Sequence, residues 1–187
     1  MCAFNDFVFR ISEQSFDKRR LGRWSSLTIR GENKLKTTFI TAYCPVKGSN
    51  PGSTYSQQLV YMANHRSIIP SSIICPRQLF GHDLSELLQD LTNKGHQIIL
   101  MGDFNTHYAK LCDWMKEFGL VDTIARQHGP CPVTYNRSNS KPLDSIFTSP
   151  KISPTLSGYL SFGRLAGDLR GVWIDVPKIL LYGYNPP

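Results

Sequence analysis

The sequence has no unbroken apolar run near the ~20 residues that a membrane-spanning helix needs. Its first residues, Met1-Cys2-Ala3-Phe4-Asn5-Asp6, lack the basic-then-apolar order of a secretory leader. The expectation is an intracellular protein, nuclear or cytoplasmic, neither secreted nor held at a membrane. Also lacking is any Cys-x-x-Cys pair: the five cysteines, Cys2, Cys44, Cys75, Cys112 and Cys131, are odd in number and widely spread. A zinc site and a disulfide scaffold are both disfavoured, and reduced, partly buried thiols are expected. There is no internal repeat, no low-complexity tract and no linker, so residues 1-187 read as one domain, with a core over about 7-177 and a tail over 178-187.

Acidic residues are few against 21 Lys and Arg, leaving a net charge of +7, and the excess is uneven. Between Asp17 and Lys36 lie Lys18, Arg19, Arg20, Arg23, Arg30, Lys34 and Lys36 against Asp17 and Glu32. A polyanion partner, nucleic acid before membrane, fits that imbalance. A solvated strand edge kept soluble by its bases would show the same charges.

What the sequence does contain is organised around Ile98-Ile99-Leu100-Met101-Gly102-Asp103-Phe104-Asn105. Continuous hydrophobicity predicts a strand buried on both faces. Gly102 stops the apolar run, and Asp103 and Asn105 then share a face if the chain stays extended. A carboxylate beside a carboxamide offers a base or a hard-cation ligand next to a hydrogen-bonding group. An ordinary strand ending in an Asp-Phe-Asn turn would look the same.

Phe7 to Ile11, Leu27 to Arg30 and Thr37 to Tyr43 read as strands of an antiparallel meander. Tyr55, Leu59, Met62 and Ala63 recur at helical spacing after Ser53, an N-cap, predicting a helix to about Arg66. Residues 68–76 read as loop. A second helix carries Leu79, Phe80, Leu84, Leu87, Leu88 and Leu91 and ends near Gly95; a third carries Leu111, Trp114, Met115 and Phe118 before Gly119. A short helical piece covers Val121 to His128. Strand signals follow at Val133 to Asn136, Ser145 to Thr148 and Gly171 to Asp175. This order predicts an α/β fold with mixed sheets covered by helices.

Four predicted strand ends carry polar groups: Tyr43, Asp103 with Asn105, Asp144, and Asp168. Loops from several strands can converge at such ends. Taken in order, Thr41-Ala42-Tyr43-Cys44-Pro45, Gly102-Asp103-Phe104-Asn105, Thr134-Tyr135, Leu143-Asp144-Ser145-Ile146-Phe147 and Gly167-Asp168-Leu169-Arg170 resemble the motifs of the endonuclease/exonuclease/phosphatase superfamily. Leu21-Gly22-Arg23-Trp24 and Trp173-Ile174-Asp175-Val176-Pro177 are similar to its retroelement-associated endonuclease domains.

The resemblance implies a DNase I-like four-layer α/β sandwich, two mixed β-sheets flanked by helices, here lacking the first strands. It implies a metal-dependent phosphodiester hydrolase, of retroelement DNA endonuclease type, using Mg²⁺ or Mn²⁺ on nucleic acid, DNA before RNA. Asp103 would deprotonate the attacking water, Asn105 would hold that water and a phosphate oxygen, and Tyr43 would bond the phosphate or assist the leaving oxygen. Asp168 would bind the metal and Asp144 would position a histidine, with Arg170, Asn136 and Arg23 as substrate contacts.

The chain departs from the pattern twice. Leu169 stands where the superfamily has a histidine, and losing a general acid or base typically costs ~10²–10⁴ in rate. His107, two residues past Asn105, is a weak substitute. The first strand with its Asn and the metal-binding Glu of the next have no counterpart, Glu13 being set in a turn-like context. The expectation is therefore a fragment, a truncated product or a decayed copy with impaired activity. The alternatives are a non-catalytic relic that binds nucleic acid or protein and, more weakly, an inositol-phosphate phosphatase.

Overall fold

The computed structural model describes residues 5–48, 50–135, 142–164 and 170–184. A 3-10 helix at Asn5–Arg10 leads into β1 (Ile11–Phe16), β2 (Trp24–Arg30) and β3 (Lys36–Tyr43), followed by α1 (Thr54–Asn64) and α2 (Pro76–Asn93). Then come β4 (Gln97–Asp103), α3 (Tyr108–Lys116), β5 (Val121–Asp122), α4 (Thr123–His128), β6 (Asp144–Thr148), β7 (Leu156–Tyr159), β8 (Val172–Asp175) and α5 (Lys178–Tyr182).

Six strands form one mixed sheet in the order β1-β2-β3-β4-β6-β5, and β7 pairs with β8. β1 to β3 form an antiparallel meander as expected, although its first strand is not the expected one; β3 and β4 run parallel, and β6 is antiparallel to β4. The parallel step needs a long crossover, which α1 and α2 supply. The expected pair of sheets is present, the second limited among the described residues to two antiparallel strands.

Alternation along β3 and β4 sorts side chains to two faces. On one face Ile40, Ala42, Ile98 and Leu100 pack with Phe80, Leu84 and Leu88 of α2 and Leu111 and Met115 of α3. On the other, Ile29, Ile99 and Ile146 pack with Ile124 of α4, Leu181 and Tyr182 of α5, and the half-buried Val172 and Ile174 of β8. β4 is thus covered on both sides, as its unbroken hydrophobic run requires. Burying such a side chain contributes ~1.5–3 kcal/mol.

Local signals set most of the boundaries. The Ser53 hydroxyl accepts from the Ser56 amide at 3.2 Å and caps α1, a contact worth about 1 kcal/mol. Pro76 opens α2, where its missing N–H costs nothing. Cys44, Cys75, Cys112 and Cys131 are free thiols. Among the described residues no helix is long and apolar enough to cross a membrane.

Five segments differ from the sequence expectation. Residues 5–10 form a 3-10 helix, from which Phe7 packs edge-on to Phe39 at 5.5 Å, rather than a strand. The strand that pairs with β2 is the largely polar β1, an exposed sheet edge with little alternation to read. Residues 133–135 make no regular strand, because Thr134 is turned inward to bond the start of β6; Asn136 lies outside the described residues. β7 and α5 were not anticipated: α5 is held in place by buried Leu181 and Tyr182 and is closed by Gly183 at φ 80°.

Candidate active site

At one end of the large sheet, three strands bring one residue each into a single row. Tyr43 of β3 is the register partner of Asp103 of β4, and Asp103 is the register partner of Asp144 of β6. Directly paired residues project from the same face, so the phenol and both carboxyls lie side by side. Close strand approach makes this row possible: a Cβ on Gly102 would lie 2.0 Å from the Ala42 carbonyl oxygen.

Beyond Asp103 the chain turns sharply. Asn105 has φ 44°, in the left-handed region that Asn tolerates better than most residues. Its amide donates to Asp103 Oδ1 at 3.1 Å, and its Nδ2 donates to the Cys44 carbonyl at 2.8 Å. Phe104, fully buried, anchors the turn edge-on against Phe147. From the first turn of α2, Arg77 Nη2 donates to the Asn105 carbonyl and, at 3.0 Å, to Thr106 Oγ1. The loop that presents Asn105 is therefore held from three sides.

Asp144 is set by Thr134, whose buried Oγ1 accepts from the amides of Leu143 at 3.0 Å and Asp144 at 3.2 Å. Its Oδ2 is buried and has no hydrogen-bond partner among the described residues. Burial, and then the neighbouring Asp144 charge, push the Asp103 pKa up to about 6, against the pull of the Asn105 amide and Arg77. Burial also raises Asp144, with the Thr134 hydroxyl opposing. Two half-buried acids in register both have raised pKa values, and groups perturbed in this way concentrate at functional sites.

The other expected site residues fall in different places. Arg170 lies at the rim: its amide donates to the Thr134 carbonyl at 2.8 Å and its guanidinium sits 4.8 Å over the Phe162 ring. Asp168, Leu169 and Asn136 lie outside the described residues. Arg23, expected as a substrate contact, is 1% exposed. It bonds Asp17 through Nε and Nη2, both at 2.7 Å, and reaches Asp83 at 2.8 Å. The basic segment from 18 to 36 is likewise largely spent internally, Arg19 on Asp83, Lys18 on Asp83 and Glu86, and Lys36 on Glu13. Among the described residues, four of the seven bases are matched in this way, by acids from α2, β1 and the loop before β2, while Arg20, Arg30 and Lys34 stay exposed. His107 is exposed just before α3.

Arg77 was missed by sequence reading, since nothing in Cys75-Pro76-Arg77 signals that its guanidinium spans to residue 105. Thr134 was legible only as part of a motif. His82, Asp83 and Glu86 offer three potential ligand atoms within 4.8 Å. Asp83 is already matched by Arg19, Arg23 and Lys18, so that cluster is a saturated ion network rather than a cation site. The Asp103–Asp144 pair is different: an orphaned buried oxygen and two carboxyls with no salt bridge among the described residues suit a hard divalent ion.

Sheet order and helix placement together define the DNase I-like fold of the endonuclease/exonuclease/phosphatase proteins. Solved structures of that class align with most of this chain. D. rerio TDP2, humanized by 14 mutations, aligns with a TM-score of 0.55 at 14% identity, over 90% of this chain and 67% of its own. D. rerio TDP2 complexed with single-strand DNA product gives 0.52 at 13% identity, over 86% and 63%. An endonuclease/exonuclease/phosphatase from Beutenbergia cavernae DSM 12333 gives 0.51 at 14% identity, over 89% and 45%. The chain spans about half to two thirds of the length of the solved structures it matches. By sequence, no family model and no curated protein matches it.

Proposed function

We propose that this chain is a metal-dependent phosphodiester hydrolase of retroelement endonuclease type, acting on nucleic acid, DNA before RNA, inside the cell. The observation that carries the reading is the Tyr43–Asp103–Asp144 row, with Asn105 held beside it. Fold likeness alone leaves the chemistry open, and the row is what narrows it. The aligned TDP2 structure that holds single-strand DNA product supports a nucleic-acid phosphodiester as the substrate class.

In this reading Asp103 accepts the proton of the attacking water, a task suited to a carboxyl whose basicity is raised toward neutrality. Asn105 orients that water and one phosphate oxygen. Tyr43, 39% exposed at the row's open end, donates to the phosphate or to the leaving oxygen. Asp144, with Asp168 beyond the described residues, would hold Mg²⁺ or Mn²⁺, and the ion would supply charge to the phosphate oxygens. Arg170 at the rim and Asn136 are the proposed further substrate contacts, and residues 1-187 act as one domain.

Leu169 cannot carry a proton, so turnover is proposed to be slow. The same residue favours a second reading, a relic that binds nucleic acid or protein without cutting. Nicking of supercoiled plasmid with Mg²⁺ decides between them. Nicking that Asp103→Ala abolishes, and that Leu169→His increases, supports the hydrolase. Nicking untouched by Asp103→Ala sinks it, and salt-sensitive binding without nicking supports the relic.

A further inference from the structure

Phe16 is 69% exposed although it ends a paired strand, a large apolar ring that the fold leaves in water. It pairs with Ser25, and Ser25 pairs with Thr41, which lies two residues before Tyr43 on the same strand. By the strand period Phe16, Ser25, Thr41 and Tyr43 all project from one face, and Tyr43 continues that face into the acid row. A groove of about 310 Å³ runs between the two rings, with Trp24 and Arg23 also in its wall. Its floor carries hydroxyls, Ser25 Oγ and Thr41 Oγ1 lying 2.9 Å apart.

We propose that this groove seats one unstacked base of a single-stranded stretch of substrate, lying on Phe16 while the adjoining phosphate lies at Tyr43 and Asp103. The proposal rests on the hydrolase reading for the position of that phosphate. Three features select a base over an apolar peptide or a lipid chain. The groove is continuous with the acid row through Tyr43. Among the described residues no carboxylate lines it. Its floor is polar while its walls are rings, as a flat heteroaromatic with edge donors and acceptors requires. A base inside a duplex has both faces covered, so only an unpaired or extruded base can use the ring.

The test is binding of a short single-stranded oligonucleotide containing 2-aminopurine to the full chain in EDTA, read by fluorescence. The expected result is quenching on binding by the parent and by Phe16→Tyr. Phe16→Ala should lose the quenching and bind about 5- to 150-fold more weakly. Phe9→Ala removes a ring that is 87% exposed outside the groove and should bind like the parent. Absence of quenching with the parent, or Phe16→Ala binding as tightly as the parent, overturns the proposal. Hydrolysis of bis(4-nitrophenyl) phosphate, which has no base, reads the hydrolase assignment separately. Hydrolysis without quenching removes the groove alone; Phe16-dependent quenching without hydrolysis removes the hydrolase and supports the groove.

Discussion

Asp103 and Asp144 face each other as register partners across β4 and β6, and among the described residues neither forms a salt bridge. Arg77 reaches the carbonyl side of the Asn105 turn, and Thr134 reaches the Asp144 amide. The carboxyls themselves are left to repel. A fold selected for stability alone would have replaced one of them with an amide.

That repulsion predicts a stability gain on neutralisation. The folded Asp103 pKa of about 6 lies above the ordinary 3.8, so the folded chain holds the extra proton between those values. Its contribution to stability is therefore fully present below about pH 4 and is lost as pH rises through about 6. Asp103→Asn should stabilise the metal-free chain at pH 7 by about 1–3 kcal/mol, with no gain at pH 4. Urea melts in EDTA at both pH values check it. Adding Mg²⁺ should raise the melting temperature of the parent and not that of Asp144→Asn, which lacks the proposed ligand.

The Arg23 network predicts the opposite behaviour. Burial alone would raise the Asp83 pKa, but Arg19 and Arg23 hold it down at about 2. The stability it contributes is fully present above pH 3.8 and is lost as pH falls through about 2. Asp83→Asn at pH 7 should cost about 3–5 kcal/mol, because it leaves Arg23 buried beside one acid instead of two. Replacing Arg23, Asp17 and Asp83 together with apolar residues should cost much less, as denaturant titration of the single and triple variants would show.

Gly102→Ala probes the row without touching it. The added methyl meets the Ala42 carbonyl at 2.0 Å and must force β3 and β4 apart. The expected loss is about 3 kcal/mol or more in chemical denaturation, with plasmid nicking abolished. Retention of both stability and nicking would contradict the register described for β3 and β4.

Arg77→Ala should slow nicking by about 10²-fold with little change in substrate affinity, since it releases the Asn105 turn from α2. Arg77→Lys should recover part of the rate, as one donor can replace Nη2. Single-turnover kinetics separates the rate from binding.

Much of this architecture was readable in the chain. β4, α1, α2 and α3 follow from apolar spacing and their caps, and the order of Tyr43, Asp103 and Asp144 anticipated three strand ends that the sheet brings into register. What escaped was non-local or lacked a pattern. β1 is largely polar and edge-exposed, so alternation is faint; residues 7–9 are apolar yet too few to distinguish a strand from a 3-10 turn. Arg23 looked like a surface base because its acids, Asp17 and Asp83, come from a loop and from a distant helix. Arg77 could not be assigned without the path of α2.

The Asp17–Arg23–Asp83 cluster also bears on how such a chain can change over time. Loss of Arg23 leaves two buried carboxylates short of their shared cation, and loss of either acid leaves the buried guanidinium with one partner instead of two. The three positions should therefore be inherited or replaced as a unit, and homologous sequences carrying an apolar residue at one of them should carry apolar residues at all three.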